Sequence, residues 1–393
     1  MIVFGKEYIR GDEKMYLVEN VSLEFNLMIN LSSTNLKKEI MIENKKIIQE
    51  NTVNWERFLY LCSHHRVVGL VYYNLKKQGL LKFMENHIRH IFEYVTRSIS
   101  EHNRITLCEV NKINRAFTEN GIKAVLIKGV NLAESIYPHI FFRQFGDIDF
   151  LIQIEDITKA CQVMRKLGYT QGKIDLTNDK VIPYTRKECL NRNLNTHEVA
   201  EFVKKNTNMQ CPYYMVDINF SIMWQGYKRE NSQHIKTTKN MINNAILYKD
   251  KNCSFYTLNL YDQIIELCCH LYSEAVYFCW HTNWMRDKSD LNLIKFCDIH
   301  EILLNYTIVW NDFITYVKNI ELIDPVFYSL FLVNIIFGDI DIPQYIRKYV
   351  AKNNLINKFF DKKGNVHYWE LNFLSRMEQI DKKCLYIERL NII

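Results

Sequence analysis

The stretch KAVLIKGVNLAESIYPHIFFRQFGDIDFLI, Lys123 to Ile152, decides the reading of this chain. Its first segment, IKAVLIKG (Ile122–Gly129), is short, apolar and β-branched, as a buried strand is. VNLAESIY follows as one short helix that stops at Pro138. FGDIDFLIQI (Phe145–Ile154) then alternates as a second strand, but it carries two acids, Asp147 and Asp149, in an apolar run. A carboxylate is costly in a half-buried strand unless something compensates it.

Residues two apart in a strand share a face, so Asp147 and Asp149 project side by side. Two adjacent carboxylates repel, and a cation between them relieves the repulsion. Mg²⁺ or Mn²⁺ suits such a pair, because a hard ion takes one or two carboxylates plus the phosphates of a substrate. A third acid, Asp217, sits at the centre of another alternating segment, YYMVDINFSI (Tyr213–Ile222). Three carboxylates brought together are what a two-metal phosphoryl displacement requires. The Lys128-Gly129 turn lies between a strand end and a helix start. There a glycine allows close backbone approach to a phosphate, the helix N-terminus supplies N–H donors, and Lys128 adds a point charge. Arg143, four residues before Asp147, offers a bidentate fork.

Each feature alone has a plainer explanation. Strand ends often carry an Asp-x-Asp pair, and an arginine beside acids is often a salt bridge. Their order and spacing together are specific. VLIKGVNLAESIYPHIFFRQFGDIDFLI resembles the signature of the uncharacterised nucleotidyltransferase family of the DNA polymerase β-like superfamily. The matching residues are Lys128-Gly129, Tyr137-Pro138, Arg143 and Gly146-Asp147-Ile148-Asp149. Upstream, His65-Arg66-Val67 resembles the family's His-Arg-Val element. Downstream, MVDINFSIMW resembles its later acidic strand, with Asn219 where the family often has a histidine. IIELCCHLY and LIKFCDIHEIL resemble two later helices carrying His270 and Asp298, which either line the acceptor side or bond helix to helix. The likeness runs over about residues 53 to 340.

The resemblance implies an α+β fold: a small mixed β-sheet nucleotidyltransferase core embedded in a mostly helical protein. The expected organisation is a helical N-terminal region (1–120), a core (121–225) with a polar insertion at about 170–210, and a helical C-terminal bundle (226–393). It also implies transfer of an NMP group from an NTP to an acceptor, with pyrophosphate leaving. Asp147, Asp149 and Asp217 would be the catalytic and metal-binding residues. Lys128, Gly129, Arg143 and Gly146 would hold the nucleotide. Members of the superfamily usually carry Gly-Ser after the first strand; here Lys128-Gly129-Val130 stands instead, so phosphate binding falls to the lysine and the backbone. The alternative is a catalytically inactive nucleotide-binding or scaffold protein, against which the intact aspartate set argues.

The remaining chain bounds this reading. Its 393 residues suffice for two or three cored domains, and 48% hydrophobic with 24% charged residues is an ordinary globular mixture. A net charge of +6 suits an anionic ligand but gives no basic stripe for nucleic acid. The acceptor is therefore expected to be a small molecule, peptide or protein. MIVFGKEYIRGDEK lacks the basic start of a leader, and the longest apolar run, VFYSLFLVNIIFG, is too short to span a bilayer. A cytoplasmic protein without a membrane partner is expected, with its eleven cysteines reduced.

Cys268, Cys269, His270, Cys279, His281, Cys297 and His300 crowd one region, but no C-x-x-C pair exists and zinc is not expected there. YSEAVYFCWHTNW reads as core and loop packing. RKECLNRN and FVKKN read as a solvated basic face. Helices are expected over WERFLYLCSHHRVVGLVYYNLKKQGL up to Gly79, over the run from His87 to Gly121, over EDITKACQVMRKLGY, and over THEVAEFVKKN inside the polar insertion.

Overall fold

The computed structural model describes residues 21–50, 52–223, 232–251, 253–277, 291–361, 364–369 and 372–379. By contact the chain falls into two compact units. One holds the residues up to Glu93 with Leu271–Trp310 and those from Leu322 on; the other holds Tyr94–His270 with Asn311–Glu321. The fold is α+β, as the resemblance implied: among the described residues, helices are combined with a mixed eight-stranded sheet.

The first unit is helical. It contains α1 (Leu23–Asn30), α2 (Lys38–Glu50), α3 (Trp55–His64) and α4 (Val68–Lys77), with later helices at Leu293–Asn305, Ile323–Phe337 and Gln344–Lys352. The sequence suggested one helix from Trp55 to Gly79, and here the structure corrects it. The helix breaks at the His65-Arg66-Val67 element, where Arg66 adopts φ 58°. The side chain of His65 is fully buried, and its Nδ1 accepts from the Leu293 amide at 3.1 Å. The break thus joins the α3–α4 corner to a distant helix start, a tertiary demand that local periodicity does not record. The long apolar run forms the buried helix Ile323–Phe337, closed by Gly338 at φ 65°. No helix among the described residues is long and apolar enough to cross a membrane.

The second unit carries the sheet. Its elements include most of α5 (Asn86–Glu119), β1 (Val125–Ile127), α6 (Lys128–Ser135), β2 (Ile148–Leu151), α7 (Ile157–Lys166), β3 (Thr170–Asp175), β4 (Lys180–Pro183), α8 (Arg186–Asn195), β5 (Phe202–Lys205), β6 (Tyr213–Asn219), α9 (Ser232–Asn243), β7 (Ile246–Lys249), β8 (Ser254–Thr257) and most of α10 (Leu260–Tyr272) and of the helix Trp310–Asn319. The strand order is β4-β3-β5-β6-β2-β1-β8-β7. β2 runs parallel to β6 and antiparallel to β1, while β5 is antiparallel to β6.

The alternation of the two acidic strands gives the sheet two unlike faces. Ile148, Phe150, Ile152, Val216 and Ile218 join a buried core with Val110, Ile113 and Phe117 of α5 and Ala160 and Met164 of α7. Phe117 meets Phe150 edge to face at 5.4 Å. Removing a ring such as Phe150 from this core would cost about 3–5 kcal/mol. The opposite face of β2 and β6 carries Asp149 and Asp217, together with Leu151, Met215 and Asn219.

The polar insertion is not irregular. Residues 170–205 form β3, β4, α8 and β5, which extend the sheet outward from β6. The helix expected over THEVAEFVKKN is strand β5 instead, with Phe202 and Val203 buried and paired to Val216 and Met215. Pairing with β6 overrides a spacing that also fits a helix. The C-terminal region adds a further strand pair, Lys358–Phe360 with Val366–Tyr368, where the sequence suggested helix.

Candidate active site

β1 ends at Ile127, which faces Asp149 across the antiparallel register. The next residue, Lys128, opens α6 with φ 52°, a left-handed conformation rare for a residue with a side chain. This turn drops the ammonium back onto the strand, where Lys128 Nζ donates to Asp149 Oδ1 at 2.8 Å. Gly129 is required by packing: a Cβ there would lie 2.6 Å from Phe145 Cβ. Phe145 belongs to the loop that delivers Asp147, so the glycine lets α6 and the acidic strand come together.

Arg143 is buried, and its guanidinium donates to the Gln144 carbonyl. Its own carbonyl accepts from Asn103 Nδ2 at 2.9 Å. The residue therefore fixes the turn leading to Gly146 and Asp147. Gly146 is exposed, and a Cβ there would meet only Met215 Cε at 4.0 Å. Packing does not explain that glycine.

β2 and β6 pair in parallel with Asp149 directly opposite Asp217. The structure sets Asp149 level with Asp217 on the neighbouring strand, but the strand expected from Phe145 begins only at Ile148, so Asp147 lies in the bend just before β2, near enough for its charge to act on both. Asp149 is buried, and Asp147 and Asp217 are half-buried. Burial pushes the Asp217 carboxyl well up, and Glu198, Asp149, Asp147 and Glu201 push it further. Burial also raises Asp149; Lys128 opposes this and Asp147 adds to it. Burial works against the Lys128 charge, but Asp149, Glu266 of α10 and Glu198 outweigh it and hold the proton on.

Asn219, two residues past Asp217, lies on the same face. Its Nδ2 donates to Asp149 Oδ1 at 3.3 Å, while its buried Oδ1 has no partner. An oxygen buried without a donor is costly, and a cation satisfies it. These carboxylates and this oxygen are hard oxygen donors, so in donor type the residues present fit Mg²⁺ or Mn²⁺.

The insertion adds charges that the sequence did not single out. Arg192 of α8 donates to Glu198 Oε1 at 2.6 Å, so the supposed solvated face of RKECLNRN contributes an ion pair here. Glu198 pairs across to Asn219, whereas Phe202 pairs with Val216. Four steps on one strand therefore oppose three on the other, which is a β-bulge alongside Asp217. Burial opposes the Glu198 charge, yet His197, Arg192 and Lys128 hold its pKa below the ordinary value. Burial holds the His197 imidazole down to about 4. Such a bulge leaves no composition signature, which is why Glu198 was missed.

His270 stands half-buried in the last turn of α10, and Asp298 is buried in the helix Leu293–Asn305. Cys279 and His281 lie outside the described residues. A separate group, Glu134, Asp250 and Cys253, has its ligand atoms within 4.8 Å of one another. It involves the end of α6 remote from Lys128, and its members already bond among themselves, Cys253 Sγ donating to Asp250 at 3.3 Å and to Glu134 at 3.8 Å.

A mixed sheet with acids level on two parallel strands, beside a strand-Lys-Gly-helix turn, is the arrangement expected of a nucleotidyltransferase. The chain belongs to the family of uncharacterised nucleotidyltransferases, whose model matches residues 51–338. No curated protein matches the chain.

Proposed function

We propose that the protein is a metal-dependent nucleotidyltransferase. It moves an NMP group from an NTP to a hydroxyl or other nucleophile on a small molecule, peptide or protein. The observation that carries this reading is the register that sets Asp149 opposite Asp217, with Asp147 in the bend just ahead of β2.

Asp147, Asp149 and Asp217 would hold Mg²⁺ or Mn²⁺, and the bound ion would neutralise phosphate charge and lower the pKa of the attacking group. Asp217 accepts the acceptor's proton, and its raised affinity for protons suits that task. The acceptor oxygen bonds to the α-phosphorus as the bond from that phosphorus to the bridging oxygen of pyrophosphate breaks. Lys128 and the Gly129 amide hold the β- and γ-phosphates and the departing pyrophosphate. Arg143 reaches a phosphate by exchanging the Gln144 carbonyl for a phosphate oxygen. Gly146 gives the triphosphate a close approach to the backbone beside Asp147, a role consistent with its freedom from packing.

The Lys128–Asp149 ion pair supports a second reading, a nucleotide-binding protein without turnover in which the lysine does the work of a cation. One experiment separates them. The protein is incubated with each labelled NTP and Mg²⁺ or Mn²⁺, alone and with acceptors drawn from the products of neighbouring genes. Label transfer that is lost in Asp217→Asn supports the enzyme. Binding of NTP that needs no divalent ion, with no transfer, supports the second reading.

A further inference from the structure

Two carboxylates on the acidic face are each matched by a basic side chain. Lys128 holds Asp149 at 2.8 Å and Arg192 holds Glu198 at 2.6 Å. The two pairs flank Asp217, the acid between them. Glu198 shares its sheet face with Asn219, because directly opposed residues of an antiparallel bridge point the same way. Asn219 in turn shares its face with Asp217, two residues earlier.

We propose that Glu198 is a fourth acidic ligand of the catalytic centre, shared with Asp217, and that Arg192 is the cation a divalent ion displaces from it. This rests on the nucleotidyltransferase reading and extends it to a residue outside the aspartate set.

Three observations converge on it. The bulge between Glu198 and Phe202 is where the strand gains its extra residue, and bulges of this kind re-aim side chains beside active sites. Asn219, 1% exposed and bonded to Asp149, leaves Oδ1 without a donor on the same face, an oxygen that asks for a cation. Arg192 spends only part of its fork on Glu198: its Nε is buried and unpartnered. A guanidinium held so incompletely gives up one carboxylate at less cost than a bidentate one. Once displaced, it is an arginine beside the reacting phosphates. Glu198 is also the charge that bears most strongly on Asp217.

The test is Mn²⁺ binding, read by the loss of the free-ion electron paramagnetic resonance signal, with and without a non-hydrolysable NTP analogue. In Glu198→Gln, affinity for the ion bound without nucleotide should fall on the order of tenfold or more, while the uptake that accompanies the nucleotide is kept. Arg192→Gln should move the other way and tighten Mn²⁺ several-fold, since it removes the competing cation. A purely structural role for the pair would weaken both variants alike. Glu201→Gln, whose carboxylate already accepts from Tyr184 Oη at 2.7 Å, should bind Mn²⁺ as wild type does. The inference is overturned if Glu198→Gln binds Mn²⁺ like wild type, or if Glu201→Gln weakens it equally, which would signal a diffuse negative field. If wild type takes up Mn²⁺ with nucleotide and Glu198→Gln is unchanged throughout, only this inference fails. If wild type takes up no Mn²⁺ under either condition, the nucleotidyltransferase reading fails with it.

Discussion

Asp149 and Asp217 face each other across β2 and β6, yet Lys128 donates to Asp149 while burial and the charges of Glu198, Asp149, Asp147 and Glu201 all raise Asp217. Two aspartates at the same level of one sheet therefore have opposite consequences for stability.

Asp149→Asn removes the partner of an ammonium whose side chain is only 14% exposed. Breaking such a pair costs about 3–5 kcal/mol. Asp217→Asn instead removes a carboxylate from like charges and should stabilise by about 1 kcal/mol. Thermal denaturation at pH 7 reads both. Melting temperatures that move in the same direction would show that the two acids are not electrostatically distinct.

The pH dependence follows from the same charges. The Asp217 carboxyl binds its proton more tightly folded than unfolded, so its contribution weakens stability as pH rises from the unfolded carboxyl value through the raised folded one. His197 acts in the other direction. Its folded pKa of about 4 lies below the ordinary 6.5, so the unfolded chain takes up the proton first and stability falls as pH drops from 6.5 toward 4. His197→Gln should remove the rise in stability between pH 4 and 6.5, and Asp217→Asn should remove the opposing fall, which starts at the unfolded carboxyl value and so overlaps that window. Denaturant midpoints measured across pH 4–8 check both slopes. An unchanged profile in His197→Gln would mean that the imidazole is solvated.

Gly129→Ala would force a Cβ to within 2.6 Å of Phe145. The backbone of α6 or the Phe145 loop must shift, at a cost of about 1–3 kcal/mol. Because that loop carries Asp147, activity should fall further than stability alone explains. Gly146→Ala makes the contrasting case. It has room for the methyl group, so its melting temperature should stay put while NTP affinity drops. Equal affinity in Gly146→Ala and wild type would count against close backbone approach there.

Lys128→Ala should weaken NTP binding by about 1.5–3 kcal/mol through loss of a charge-assisted contact. It should also destabilise the protein by unpairing Asp149. Calorimetric titration with Mg²⁺–NTP below the melting transition separates the two effects. Unweakened nucleotide binding would leave Lys128 as a structural partner of Asp149 alone.

Much of this site was legible before the fold was. Asp147, Asp149 and Asp217 stand out because alternation places a charge where a strand should be apolar; the register of β2 and β6 sets Asp149 and Asp217 together, while Asp147 lies in the bend just before β2. The Lys128-Gly129 turn was readable as strand-to-helix, but the reason for the glycine was not, since Phe145 lies sixteen residues away in sequence. Strands β3, β4 and β5 were hidden by polarity: β3 and β4 bury little, and β5 has helix-compatible spacing that only pairing with β6 resolves. Glu198 depends on a bulge, and a bulge is a mismatch between two strands rather than a property of either. The break at Arg66 has the same character, for it serves a contact with Leu293.

The insertion gives a further test. Removing the tip of the β3–β4 hairpin, around Leu176–Asp179, leaves Arg192 and Glu198 in place. NTP affinity should be kept, while the affinity for acceptor should change if this segment shapes the acceptor side. Unchanged kinetics for both substrates would leave the hairpin a structural extension of the sheet.

The most direct measurement is the melting temperature of wild type and of an Asp147→Asn, Asp149→Asn double variant, each with a panel of NTPs and with Mg²⁺ or Mn²⁺. A ligand that binds only the folded protein raises its stability by about 2.7 kcal/mol at a hundred times its dissociation constant. Wild type should rise with at least one NTP, only when the divalent ion is present, and the double variant should not respond. A double variant that is stabilised as wild type is, or a wild type indifferent to every NTP with either ion, would contradict the central claim that these aspartates hold a metal–nucleotide complex.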